Sequence, residues 1–83
     1  MSTTHARART RTQLLSAARI GADVARADLD GAPEAAATAM AAWRRLRRRA
    51  DRDSRALLRI AFDTGYGRQR SQAPLPVSLA RRI

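Results

Sequence analysis

The sequence predicts an all-α protein: a hairpin or small bundle of two or three helices, with a basic N-terminal arm and an irregular C-terminal tail. Apolar residues recur at spacings of three and four, and aromatic residues make up only 4% of the chain. The glycines and prolines lie at a few breaks. A chain of 83 residues has room for one domain, and its alanine-rich core is shallow. A homodimer or a bound partner would complete the burial of its apolar surface.

Residues 1–11 (MSTTHARARTR) are polar and basic and show no apolar period, so we expect a flexible arm. A helical domain over residues 12–66 is predicted to follow. Gly21 weakens its first helix by about 1 kcal/mol relative to alanine, a cost that is tolerated where another helix crosses closely. This first helix is predicted over residues 12–29, where an apolar stripe recurs every three or four residues: Leu15, Ala18, Ala22, Ala25 and Leu29. The stripe is widened by Leu14, Ala17, Gly21 and Val24.

Two breaks divide the helical domain. At the first break, Gly31 suits the end of one helix and Pro33 suits the first turn of the next. The second helix is predicted over residues 33–50, with Trp43 in the core. The second break, at residues 51–54, leaves two alternatives open. An aspartate or serine there could cap a third helix, or the second helix could continue without interruption.

The third helix is predicted over residues 54–63, where Gly65 suits a left-handed stop at its C-terminus. Beyond it, residues 67–83 contain Pro74 and Pro76 and show little apolar period. We therefore expect a basic, extended tail over residues 67–83.

The charge distribution is the most informative feature of the sequence. All 17 basic residues are arginines, against 7 acidic residues, and the formal net charge is +10. Residues 43–59 contain eight of the arginines and only two aspartates. If the helix were continuous there, five of these arginines would form one stripe, and like charges at such spacings repel. A polyanion would relieve that repulsion.

These charges predict a small non-catalytic nucleic-acid-binding protein, an accessory or regulator that binds DNA in preference to RNA. Guanidinium groups would contact the phosphates, and any reading of bases would come from residues 68–71. The alternative is a basic helical adaptor or inhibitor that binds an acidic protein surface. The candidate phosphate contacts are Arg44, Arg45, Arg48, Arg52, Arg55 and Arg59, assisted by Arg7, Arg9 and Arg11 of the arm.

Catalysis, cofactors and metals find no support in the sequence. The one histidine, His5, lies in the predicted arm, and Asp51 and Asp53 are two residues apart and so do not face each other on a helix. There is no cysteine, glycine-rich phosphate loop or metal-ligand spacing. No apolar run approaches the roughly 20 residues of a membrane span, and we expect a cytoplasmic protein without a membrane partner. The alternative that the Arg- and Ser/Thr-rich start is an organellar transit peptide stays open.

Two stretches resemble known families. Ile60, Ala61, Gly65 and Tyr66, with Gln69 and Ser71 after them, are similar to the second helix-turn-helix of AraC-type transcription regulators. In that family the pattern ends one helix, turns and begins a recognition helix. Because Pro74 and Pro76 follow here, we expect the stretch to end a helix and lead into the tail.

The second resemblance covers more of the chain. The basic start at Arg7–Arg11, the apolar helix after it, Trp43-Arg44-Arg45 and Ala61-Phe62 resemble small conjugal-transfer accessory proteins of the TraD type. That resemblance implies a small helical accessory that acts near DNA processing on a mobile element.

Overall fold

The structure, a computed structural model, describes the backbone of residues 3–72 and the side chains of residues 8–72. It consists of three α-helices: α1 (Thr3–Asp30), α2 (Pro33–Arg49) and α3 (Arg52–Ser71). The described part contains no strand. The prediction of a small all-α bundle is therefore confirmed. Most of the predicted tail, residues 73–83, lies outside the described residues.

The first helix is longer than the sequence predicted. It begins at Thr3 rather than at residue 12, so residues 3–11 are helical and the expected flexible arm is wrong for them. No proline or glycine interrupts residues 3–20, and alanine and arginine are strong helix formers. Gly31 ends the helix region with a φ of 65°, and Pro33 begins α2, as predicted.

The break between α2 and α3 decides between the two alternatives of the sequence. Ala50 and Asp51 are both extended, with ψ angles of 147° and 152°, so the second helix does not continue into the third. Asp51 occupies the N-cap position of α3, but its side chain makes no capping hydrogen bond. Ala50 is buried and belongs to the core cluster with Ala17, Trp43 and Leu58.

The predicted stop at Gly65 is wrong, because α3 continues through Gly65 and Gly67 to Ser71. Residues 60–71 therefore lie in one helix, so the helix end expected within this stretch is wrong, and the expected extended tail is wrong for residues 67–71. Gly65 has a different role: a Cβ atom at that position would overlap the backbone carbonyl of Ala18 in α1. Gly21 of α1 makes the matching approach to the backbone carbonyl of Phe62 in α3. This close crossing is the condition under which the sequence analysis expects Gly21 to be tolerated.

Helices α1 and α3 run in the same direction. Asp51, just before α3, borders a small recess together with Arg9 and Gln13 near the start of α1. Further along, the Tyr66 hydroxyl donates a hydrogen bond of 2.9 Å to Oδ2 of Asp28 near the end of α1. Residue numbers thus increase together along the two helices, and α2 connects them in the opposite direction.

The core lies where the three helices meet around Trp43, which is 5% exposed and confirms its predicted core position. Its ring lies 4.6 Å from the ring of Phe62 between centroids, at an interplanar angle of 35°. Ala17, Ala50 and Leu58 complete the buried cluster. Leu58 is the one large side chain in the described part that is fully buried, so the core is as shallow as the composition predicts.

The apolar stripe predicted on α1 is buried along one edge only. Leu15 is 65% exposed and Leu29 is 44% exposed. Gly21, at the buried edge, allows α3 to approach closely. The buried members of the predicted stripe are Ala17, Gly21, Val24 and Ala25.

Candidate nucleic-acid interface

Four arginines surround one recess at the break between α2 and α3. The recess has a volume of about 230 Å³. Three of its residues come from the last two turns of α2 and one from the first turn of α3, so the break itself creates it. It is lined by Arg44, Arg47, Arg48 and Arg55. We call it the arginine recess.

Two of these arginines are positioned by their surroundings. The guanidinium carbon of Arg47 lies 5.9 Å from the centroid of the Trp43 ring, within the range of a cation–π contact. The Nε–H of Arg55 donates a hydrogen bond of 3.2 Å to the backbone carbonyl of Arg47. The same carbonyl also accepts a bond of 3.3 Å from the Ala50 backbone N–H, so Arg55 adds a second bond to it and joins the two helices across the break.

Arg44 and Arg48 lie one helical turn apart on the exposed face of α2. Neither makes an ion pair or hydrogen bond within residues 8–72. The like charges of the pair destabilise the helix at this spacing, and only the negative end of the α2 dipole offsets them. Their guanidinium forks are free to bind an external anion.

One ion pair is present among residues 8–72. It joins Nε of Arg59 to Oδ2 of Asp63 at 3.4 Å, within α3. Arg59 is therefore partly neutralised by its own helix, unlike the other predicted phosphate contacts among residues 8–72. Both side chains are well exposed, so the pair is screened by solvent and salt.

The structure brings together three of the predicted arginines, Arg44, Arg48 and Arg55, and leaves the others apart from the recess. Arg45 and Arg52 are exposed elsewhere on the same two helices. The continuous stripe expected along residues 44–59 does not form, because the break at Ala50 and Asp51 divides it between two helices running in opposite directions.

The basic residues of the predicted arm lie on α1. Arg9 and Arg11 are both exposed, whereas the side chain of Arg7 lies outside the described residues. Arg9 borders a second recess of about 110 Å³ together with Arg49 and Asp51. The start of α1 therefore lies near the break between α2 and α3.

Sequence reasoning missed Arg47 and Arg49. Both belong to the arginine run but fall outside the predicted stripe. A signal for Arg47 was present, because it follows Trp43 by four residues and so lies above it on the same helical face. No comparable signal identified Arg49, whose position depends on where the break falls.

Among the described side chains, residues 8–72, no group of three or more histidine, cysteine or acidic residues could hold a metal ion. None of the three described helices combines the length and the apolar character of a membrane span. No protein-family model, curated protein or solved structure matches the chain. The resemblances to AraC-type and TraD-type proteins stay predictions.

Proposed function

We propose that this protein binds duplex nucleic acid, DNA in the first place, as a small accessory or regulatory protein without a catalytic role. The observation that supports the proposal is the arginine recess, where four guanidinium groups converge and no carboxylate of residues 8–72 neutralises them. A phosphate oxygen is the natural ligand of such a group, because the planar fork of arginine matches its geometry.

The arrangement suits a phosphate backbone rather than base edges. Arg47 and Arg55 are held in place by Trp43 and by the end of α2, so binding costs them little conformational entropy. Arg44 and Arg48 extend the basic surface along one side of α2. Contacts of this kind give affinity and position without reading sequence.

The salt dependence of binding tests the proposal. If each arginine of the recess neutralises one phosphate, the logarithm of the affinity falls with the logarithm of salt with a slope of about −3.6, a loss of about 150-fold between about 50 and 200 mM. Fluorescence anisotropy with labelled DNA and RNA duplexes would measure this slope.

Two matched double variants locate the binding surface. Replacing Arg44 and Arg48 by alanine should make the slope about 1.8 units shallower on the same scale. Replacing Arg19 and Arg26 by alanine removes the same charge from exposed positions of α1 and should change the slope much less. Equal effects of the two variants would contradict a role for the recess. Failure to bind either duplex at low salt, together with retention on an acidic protein, would favour the adaptor function instead.

A further inference from the structure

A long apolar groove lies between α1 and α2. Its volume of about 470 Å³ is about twice that of the arginine recess. Ala27 and Ala39 in its lining are buried, and most of the other apolar groups are alanine methyls, which leave room for larger side chains. The apolar part of the lining is Ile20, Ala27, Ala32, Ala35, Ala39 and Ala42. We call it the alanine groove.

The alanine groove opens on the side of α1 that faces away from α3. Gly21 marks the face of α1 that touches α3, because a Cβ atom there would overlap the carbonyl of Phe62. Three residues at the border of the groove lie about 140–180° around α1 from Gly21, namely Asp23, Arg26 and Asp30. The lining comes from α1, α2 and their connection, so α3 contributes nothing to it.

Helix α3 ends near the end of the molecule where the groove begins. The hydrogen bond from Tyr66 to Asp28 places these two residues level with each other. Ser71, the last residue of α3, lies about 7.5 Å further along its helix. Because α1 and α3 run in the same direction, the chain leaves α3 beside the connection between α1 and α2. Asp30 and Ala32 border the groove at this connection.

Residues 73–83, which follow in the sequence, are long enough to reach the alanine groove and to lie along it. In an extended conformation they would span up to about 36 Å. The groove extends along α1 from Asp30 to Ile20, a length of about 15 Å. The remaining length of about 21 Å exceeds the helix diameter of about 10–12 Å that the chain must pass to reach the open side.

The sequence of this segment, APLPVSLARRI, suits the groove chemically. Leu75, Val77 and Leu79 alternate along it, which is the spacing at which side chains share one face of an extended chain. Pro74 and Pro76 favour such a backbone. Large aliphatic side chains would fill a groove whose own lining is mostly alanine, and apolar surface of both would be removed from water.

The charges of the segment and of the groove are opposite. Residues 23–34 contain four of the seven acidic residues and one arginine, a net charge of −3 in a chain whose net charge is +10. Asp23 and Asp30 border the groove, and neither forms an ion pair with a side chain of residues 8–72. Arg26 also borders it, so the border keeps one net negative charge. Residues 73–83 contain Arg81 and Arg82 and no acidic residue.

We propose that the alanine groove binds residues 73–83 of the same chain, which run along it from the connection between α1 and α2. The three aliphatic side chains insert between the helices, and Arg81 and Arg82 meet the acidic border at Asp23. The same chain is the occupant because the covalent connection holds the segment at a high effective concentration, which a separate peptide would have to exceed.

The bound segment gives the shallow core a fourth packing element. The arginine recess lies at the other end of α2, since its residues come from the last two turns of that helix and from α3. Binding of the segment therefore does not depend on the proposed function, and the two can fail separately.

Pairs of introduced cysteines test the arrangement, because the chain has no cysteine of its own. Ala35→Cys, in the groove, is combined with Leu79→Cys. The control combines Ala37→Cys with Leu79→Cys, because Ala37 is also an exposed alanine of α2 but lies about 160° around the helix from Ala35. The disulfide within one chain should form at least about tenfold faster for the first pair, since only that pair is held within bonding distance. Mass spectrometry after alkylation of the free thiols measures both rates.

Two results of the cysteine experiment would overturn the proposal. Equal rates for the two pairs would show that the segment has no preferred place on α2. A disulfide that joins two chains, seen as a covalent dimer, would show that the groove takes the segment of a second copy.

A charge substitution tests the border of the groove in the same assay. Asp23→Asn, added to the Ala35→Cys, Leu79→Cys pair, should slow the disulfide by about two- to fivefold, because it removes an exposed partner of the arginines. Asp53→Asn is the control, since it removes the same charge from an exposed position of α3 that does not border the groove. Equal rates in the two variants would overturn the contact between the basic residues and Asp23.

Discussion

Two regions of the molecule differ in what lines them. Backbone atoms meet where α1 crosses α3, whereas arginine side chains line the break between α2 and α3. At the crossing, Gly21 and Gly65 allow two backbones to meet, and any side chain at either position would collide with a carbonyl of the other helix. At the break, long cationic side chains surround an open recess, and only some have partners within the fold. The first region is fixed by packing. The second leaves charge uncompensated, so stability and binding should respond to separate substitutions.

The largest effect should follow substitution at the crossing. Gly65→Ala inserts a methyl group against the backbone carbonyl of Ala18, which cannot rotate away. The helices must separate, and we expect a loss of about 3 kcal/mol in the free energy of unfolding. Urea denaturation followed by circular dichroism measures this loss, and Gly21→Ala should behave alike.

Gly67 supplies the control for this comparison, because it lies in the same helix with open space where a Cβ atom would be added. Gly67→Ala should therefore raise the free energy of unfolding by about 0.5–1 kcal/mol, through better helix propensity. If Gly65→Ala were also stabilising, the close approach of the backbones would be contradicted.

A smaller effect should follow at Tyr66, which connects α3 to the end of α1. Its hydroxyl donates to Asp28 and accepts a bond of 3.0 Å from Arg70. Tyr66→Phe should lower the free energy of unfolding by about 1 kcal/mol. Affinity for duplex DNA should stay unchanged, because neither Tyr66 nor Asp28 borders the arginine recess. A loss of affinity without a loss of stability would show that the two regions are not separable.

The smallest effect on stability should come from the Arg59–Asp63 pair. The basic residue precedes the acidic one, the weaker order for a pair four residues apart, and both are exposed, so Asp63→Asn should cost only about 0.2 kcal/mol. The variant frees Arg59 and should make the salt dependence of DNA binding steeper by up to about 0.9 units. A shallower dependence would contradict the predicted phosphate contact at Arg59. Salt titrations of wild type and variant, run side by side, measure the difference.

The sequence predicted those parts of the fold that depend on local signals. Gly31 and Pro33 mark the first break without ambiguity, and Trp43 is the largest apolar side chain of the sequence. Gly65 was misread because glycine suits both a helix stop and a close helix crossing, and only tertiary packing decides between them. The start of α1 was misread because a basic segment without an apolar period can still be helical when alanine is frequent.

The candidate site was predictable in composition but not in arrangement. The arginine run identified the region, yet the recess depends on the break at Ala50 and Asp51, which no residue there requires. Once the chain turns at that point, Arg55 reaches the end of α2 and Arg47 joins the recess. The predicted stripe assumed a straight helix, in which Arg48 and Arg55 would lie two turns apart. In the fold, both line the same recess.

The central claim is that the arginines at the break between α2 and α3, rather than the net charge as a whole, form the phosphate-binding surface. Arginine side-chain ¹H–¹⁵N spectra recorded during titration with a short DNA duplex test it residue by residue. We expect the Nε–H signals of Arg44 and Arg48 to shift first and most, while those of Arg19 and Arg26 shift little. Uniform shifts across all of these signals would contradict it.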